Sequence, residues 1–382
     1  MKDYYVTLTG GKNNAGDFLI KYRANELFVE RRPDRNVVDF NAWEQIDKPK
    51  LEIINKAQAL ILMGGPALQR NMYPGIYKLP DDLDLIRVPI ITMGIGWKSI
   101  KGGWNDTYDY PLNKKTIRLL DRIKSDGFNS SVRDFHTLNT LIAKGYDNFV
   151  MTGCPAYYSL DFINQPFRYP KRVNKVAFSL GVSFVNSRTM EKQMKNQILK
   201  LKEYFKDKVF EVVFHHALDP EVFLKTDGAF SAHNSRHRDF ASWLTHENIP
   251  YIDISGNANN LISYYSCVDL HIGYRVHAHI FMNSSRKMSI LVSEDGRGKG
   301  SQLAIGGMVV DGYLSHKDDF ISKAANKLWH GFDRYKNNPF CMDDILNMIE
   351  YENKTKGQRS ALAGAAIDYN YNLMSDFLKN LP

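Results

Sequence analysis

One pattern dominates this chain and limits what it can fold into. Short apolar segments end in glycine or polar turns, and a longer amphipathic stretch follows each one. Tyr4–Leu8, Asn36–Phe40, Ala59–Met63, Pro89–Met93, Ser131–Arg133 and Phe149–Thr152 read as strands, with a helix over Asp17–Glu30 after the first. Ala59–Met63 ends at Gly64-Gly65-Pro66, and Pro89–Met93 at Gly94-Ile95-Gly96. Strands that alternate with helices predict βαβ units and a mainly parallel sheet. Asn164–Asn174 carries prolines and the cations Arg168, Lys171 and Arg172 without an acid, and reads as a linker. The pattern then restarts, with strands expected at Lys175–Leu180, Glu211–Phe214, Tyr251–Ile254, Val268–Ile272 and Met288–Val292. Helices are expected at Thr189–Tyr204 and Phe240–Asn248, and later at Asp343–Tyr351 and Gly364–Leu378.

The fold class this predicts is α/β: two Rossmann-like domains facing a cleft, with a helical C-terminal tail. The expected division is residues 1–168, 169–317 and 318–382, which suits a chain of 382 residues at roughly 150 residues per domain. In open α/β sheets ligands bind beyond the carboxyl ends of the strands, so the chemistry is expected in the loops that follow them.

Composition narrows the partners. Lys plus Arg is 50 and Asp plus Glu is 42, a formal charge of +8. The excess suits anionic ligands in general, but basic and acidic residues are interleaved, as in Glu30-Arg31-Arg32-Pro33-Asp34. No zinc finger, RRM signature or long basic run points to nucleic acid, so none is expected as a partner. Cys154, Cys267 and Cys341 are too few and too scattered for a disulfide framework or a zinc ribbon, which fits a reducing, cytoplasmic location. No signal peptide or membrane-spanning run is visible, so any membrane contact is expected at the surface.

The densest constellation is His271-Ile272-Gly273-Tyr274-Arg275-Val276-His277-Ala278-His279. A strand ends near Gly273 and an apolar helix follows, which places Arg275 and His277 at a helix N-terminus, a natural anion site. His277 is the candidate proton donor. A core role for these histidines, or a metal held by His271, His277 and His279, are the alternatives; the latter lacks the H-x-x-x-H spacing and an intervening acid. Ser131-Val132-Arg133-Asp134 brings a second arginine to a strand end, either to reach the cleft or to pair with Asp134 at the start of the next helix. The first loop, Gly10 to Asp17, allows close backbone approach and offers Asp17 as a helix cap or a ligand, but lacks the G-x-G-x-x-G of dinucleotide sites. Gly296-Arg297-Gly298-Lys299-Gly300-Ser301 places two cations among glycines without Walker A spacing, and reads as a phosphate-handling or surface loop. His215, His216 and Asp219 form a third cluster, lining the cleft or ending a strand.

These residues resemble the polysaccharide pyruvyl transferases through ordered features. Asn14-Ala15-Gly16-Asp17 resembles the family's N-x-G-D loop, and Gly64-Gly65 its glycine turn. Val132-Arg133-Asp134 with Gly153-Cys154-Pro155-Ala156 resembles its R-D segment, and Gly273-Tyr274-Arg275-Val276-His277 its R-x-H motif. The stretch Val292 to Lys299 departs from the family, which often runs sooner to a lysine. The resemblance implies a GT-B-like fold and transfer of the pyruvyl group of phosphoenolpyruvate to a saccharide, free or lipid-linked, during surface-glycan synthesis. It implies His277, Arg275 and Asp17 as catalytic residues, and Arg133, Asn14, Gly16, Lys299 and Tyr274 as substrate-binding ones. Phosphoenolpyruvate is the donor, and no metal or cofactor is implied. A nucleotide-sugar glycosyltransferase and a non-catalytic saccharide-binding protein share this architecture and are the competing readings.

Overall fold

The structure, a computed structural model, describes residues 3–10, 15–227, 231–317 and 333–382. The first half of the chain builds a six-stranded sheet from β1 (Tyr4–Thr9), β2 (Asn36–Asn41), β3 (Leu60–Leu68), β4 (Ile90–Trp97), β5 (Ser130–Val132) and β6 (Phe149–Met151). Its order is β2-β1-β3-β4-β5-β6, and every pairing is parallel. The second half repeats the plan with β7 (Lys175–Ser179), β8 (Val209–Phe214), β9 (Tyr251–Asp253), β10 (Leu270–Gly273), β11 (Met288–Ser293) and β12 (Met308–Asp311). Here the order is β12-β11-β10-β7-β8-β9, again wholly parallel.

The central strands are apolar along their whole length because helices cover both faces of a parallel sheet. All of β4 is buried, as is all of β11. Side-chain caps start the helices where periodicity begins. Asp134 accepts from the Thr137 amide at 2.8 Å and opens the helix Phe135–Ile142. Ser187 accepts from the Met190 amide at 3.0 Å and opens Arg188–Tyr204.

The tertiary structure departs from the sequence expectation in specific places. β3 and β4 run on through Gly64-Gly65-Pro66 and Gly94-Ile95-Gly96, where the sequence suggests turns, because neighbouring strands continue to supply hydrogen-bond partners. β12 is an edge strand that local pattern did not mark. The run Gly296–Ile305 is a helix and not a loop, capped by Asp295 and packed close against the first half, with the Gly296 amide donating to the Ser99 carbonyl at 2.9 Å.

The C-terminal residues are more than a tail. Tyr335–Asn337 pairs antiparallel with Tyr313–His316, and helices Cys341–Thr355 and Gln358–Lys379 follow, while 318–332 lie outside the described residues. The last helix returns to the first half. Arg31 donates to the Tyr371 hydroxyl at 2.6 Å, Arg32 to the Leu381 carbonyl at 2.8 Å, and Tyr5 to the Pro382 carbonyl at 2.7 Å. A single buried apolar cluster therefore joins both halves through this helix, from Leu19 and Met63 to Phe281 and Met374.

Candidate functional site

The carboxyl ends of the strands converge on an open cleft of about 630 Å³. Gly10 follows β1, Trp43 follows β2, Gly64 to Ala67 end β3, Arg133 follows β5, Val276 and His277 follow β10, and Arg297 follows β11; Asp17 completes the lining. Both halves of the chain contribute, so the cleft exists only in the assembled fold.

His277 sits in the first turn of the helix Val276–Ser284. That helix starts where β10 ends at Gly273, whose φ of 143° is closed to most side chains. The Arg275 amide donates to Ser179 Oγ at 3.0 Å and holds the turn. His277 Nε2 is buried and has no hydrogen-bond partner among the described residues. Burial first, then the charges of Arg297, Arg133 and Arg275, push its pKa down to about 3, so the ring is neutral at pH 7. Gly16 lies in the opposite wall, and a methyl group there would overlap the His277 ring.

Arg133 is buried, and the absence of a side chain at Gly96 makes room for its guanidinium. Its Nε lies 3.5 Å from Asp134, while Nη2 has no partner among the described residues. Both sequence readings of this pair hold at once: Asp134 caps its helix, and Arg133 lines the cleft.

Arg297, one of the two cations of the glycine-rich run read as a phosphate-handling or surface loop, lines the cleft. Asp295 grips it from two sides, with Nη2 at 2.7 Å and Nε at 2.9 Å from Oδ2. Burial acts to raise the Asp295 pKa, but the Arg297 charge and hydrogen bonds outweigh it and hold the carboxyl below its ordinary value. The detectable signal is position: Arg297 comes in the segment after the parallel strand β11, and Arg133 directly after β5.

Other expected residues fall elsewhere. Lys299 does not line the cleft; it points to Asp311, 3.8 Å away, because two positions along a helix turn it from Arg297's face. Tyr274 is a core residue and not a ligand of the cleft. Its hydroxyl donates to Gln197 at 2.7 Å and accepts from Gln193 at 3.1 Å inside the second half. Arg275 lies beside the cleft and turns toward the second half, donating Nε to the Leu180 carbonyl at 2.7 Å, with Nη1 at 3.2 Å from His216 Nε2. Asp17 lies inside the first helical turn and lines the cleft. Asn14 lies outside the described residues.

His271 and His279 turn inward. Ser289 Oγ lies 2.7 Å from His271 Nδ1 and 2.8 Å from His279 Nδ1, and His271 Nε2 lies 2.7 Å from Ser179 Oγ. This buried chain ends at the serine that holds the Arg275 amide, so these histidines support the turn from beneath. Among the described residues no group of three or more His, Cys, Asp or Glu is arranged to hold a metal ion. His215 is buried against the Tyr265 hydroxyl at 2.8 Å, and Asp219 caps the helix Pro220–Asp227.

A family model described as polysaccharide pyruvyl transferase matches residues 14–281. The chain belongs to this family. The match takes in Gly16, Asp17, Arg133, Arg275 and His277, whereas Arg297 lies beyond it. No curated protein matches this chain. Among solved structures, UDP-GlcNAc 2-epimerase from Neisseria meningitidis bound to UDP-GlcNAc is similar over 97% of this chain and 99% of its own, at 11% identity and a TM-score of 0.51. A ugt transferase from Siraitia grosvenorii in complex with UDP is similar over 99% of this chain and 100% of its own, at 9% identity and a TM-score of 0.48. At such identity the likeness concerns the fold alone: this pyruvyl transferase family member has the GT-B-like arrangement of two facing α/β sheets. Among its described residues no helix is long and apolar enough to cross a membrane.

Proposed function

We propose that this protein transfers the pyruvyl group of phosphoenolpyruvate onto two hydroxyls of a saccharide, forming a cyclic ketal and releasing phosphate. One observation carries the reading. Arg133, Arg297 and His277, brought from opposite halves, line a single cleft, and buried nitrogens of Arg133 and His277 there have no partner among the described residues. Buried donors are normally satisfied, and a ligand with several acceptor oxygens satisfies these. Phosphoenolpyruvate carries a phosphate and a carboxylate on three carbons, and guanidinium groups clamp such oxygens in fixed orientation.

In the chemistry we propose, the methylene carbon of the enol gains a proton and becomes a methyl group, leaving an oxocarbenium-like centre at C2. One saccharide hydroxyl adds there. Phosphate departs with its bridging oxygen, and the second hydroxyl closes the ketal. Of the two hydroxyl protons lost, one balances the new methyl group and the other the released phosphate. His277 is neutral in the free cleft, because burial and neighbouring cations oppose its charge. A polyanionic donor offsets the arginine charges and raises that pKa, so His277 takes up a proton with the donor and delivers it to carbon. Arg133 and Arg297 hold the departing phosphate, with Asp295 fixing Arg297. Asp17, on the opposite wall, receives the proton of the incoming hydroxyl. The donor is consumed as a substrate, and this sequence of steps calls on no cofactor. A lipid-linked saccharide at the inner face of the membrane suits a basic protein of this kind.

Phosphate release from phosphoenolpyruvate over a saccharide library tests the proposal, with the ketal product identified by mass spectrometry. Saccharide-dependent release is expected. Tight binding of a nucleotide sugar by a protein that does not bind phosphoenolpyruvate overturns the proposal in favour of glycosyl transfer.

A further inference from the structure

The helix Gly296–Ile305 belongs to the second half of the chain but lies against the first. Gly296, Gly300 and Ser301 fall on one face of it, at i, i+4 and i+5, and each meets the first half. A Cβ at Gly296 would lie 2.7 Å from the Ser99 carbonyl oxygen and 2.9 Å from Gly102 Cα. At Gly300 a Cβ would lie 2.9 Å from both Cγ and Oδ2 of Asp134. Ser301 Oγ lies 2.7 Å from the Tyr157 hydroxyl. The absence of side chains at the two glycines is what lets the helix backbone come this close.

The contact at Gly300 is the one that reaches the cleft. Asp134 is buried and tied down: Oδ1 accepts from the Thr137 amide at 2.8 Å and from the Thr137 hydroxyl at 2.9 Å, and Oδ2 lies 3.5 Å from Arg133 Nε. It cannot swing aside without releasing its helix cap. Less than one turn before Gly300, the same helix carries Arg297, which Asp295 grips. A short path of packed groups therefore runs from Arg133 through Asp134 and Gly300 to Arg297. Two guanidiniums repel each other, so their common place in one cleft has to come from packing, and this path supplies it.

We infer that Gly300 is a positioning residue: by letting the helix lie on Asp134, it holds Arg133 and Arg297, one from each half, at the separation that makes them a single phosphate clamp. This deepens the proposed pyruvyl transfer and rests on it for the identity of the donor. The clamp itself is tested with inorganic phosphate alone.

The whole chain is titrated with phosphate by calorimetry, and each variant is melted. Gly300→Ala is expected to bind phosphate about tenfold more weakly, the worth of a charged hydrogen bond. Tyr157→Phe removes a hydrogen bond from the same seam without adding bulk; it is expected to lower the melting temperature and keep the phosphate affinity. Arg297→Ala breaks the clamp, so adding Gly300→Ala to it is expected to cost less than about threefold more. In the unaltered protein, phosphate is expected to slow amide hydrogen exchange over Gly296–Ile305, a measurement that stands even where Gly300→Ala fails to fold. The inference is overturned if a folded Gly300→Ala binds phosphate as the unaltered protein does, if its penalty is the same without Arg297, if Tyr157→Phe weakens phosphate equally, or if phosphate leaves exchange over that helix unchanged. Phosphate binding that behaves as expected in a protein that does not bind phosphoenolpyruvate leaves the clamp standing and sinks the donor reading. Phosphoenolpyruvate bound with undiminished affinity by Gly300→Ala sinks the inference alone.

Discussion

Gly16 and His277 lie 261 positions apart in the chain and face each other so closely that a single methyl group on residue 16 would occupy the space of the imidazole. The glycine of the N-x-G-D loop therefore lets the first helix approach the His277 ring this closely. Gly16→Ala is expected to push His277 or the first helix aside. A misplacement of about 1 Å can cost roughly 10²-fold in rate, so kcat for phosphate release should fall on that scale. Thermal melting of the same variant checks that the fold survives; a variant with full kcat would show that the ring has room to move.

His277 carries the proton in the proposed chemistry. His277→Gln keeps polarity but cannot deliver a proton to carbon, and kcat is expected to fall by about 10²–10⁴-fold. Because its pKa in the free cleft lies at about 3, an anionic donor that raises it toward neutrality makes donor binding take up protons near pH 7. Calorimetry in buffers of different ionisation enthalpy reads that uptake directly. Uptake equal in the protein and in His277→Gln would remove the assignment.

Arg297 is held by Asp295 through paired hydrogen bonds that a lysine cannot reproduce. Arg297→Lys is expected to raise KM for phosphoenolpyruvate by about 10–100-fold, the worth of a charged hydrogen bond, with a smaller change in acceptor KM. Steady-state kinetics with each substrate varied in turn separates the effects. Lys299→Ala, on the face turned to Asp311, is expected to change donor KM little.

Tyr274 sits in the R-x-H motif yet serves the core. Tyr274→Phe leaves Gln193 and Gln197 without their shared hydroxyl, and a loss of about 1–2 kcal/mol in unfolding free energy is expected. Urea denaturation measures it. A large rise in donor KM with no loss of stability would return Tyr274 to the cleft.

Acid should destabilise the protein. Burial holds His237, His277 and His279 at about 3 and pushes His215 and His271 well below their ordinary value. Below about pH 6.5 the unfolded chain binds protons that the folded one refuses, so stability falls as pH drops from about 6.5 toward 3. Each such histidine steepens the decline by up to roughly 1.4 kcal/mol per pH unit. Melting temperature across this window checks the sign, and His279→Asn should flatten the slope.

The sequence by itself determined the layered α/β architecture, because buried parallel strands must be apolar along their length and helices amphipathic, and both patterns are written locally. It also determined that Arg133, Asp17, Gly16 and His277 follow strands of the two halves, and so that they could share a cleft. Only the tertiary structure decided which of these side chains meet. Gly16 lies against His277, Arg297 rather than Lys299 lines the cleft because the glycine-rich run is a helix with one face to it, and Tyr274 turns inward between Gln193 and Gln197. The edge strand β12 and the return of the last helix to Arg31, Arg32 and Tyr5 were likewise invisible locally, since their partners lie far away in the chain. Local pattern reports what a residue can pack in its own element; which residues of distant elements share a site depends on contacts that form only when both sheets are in place.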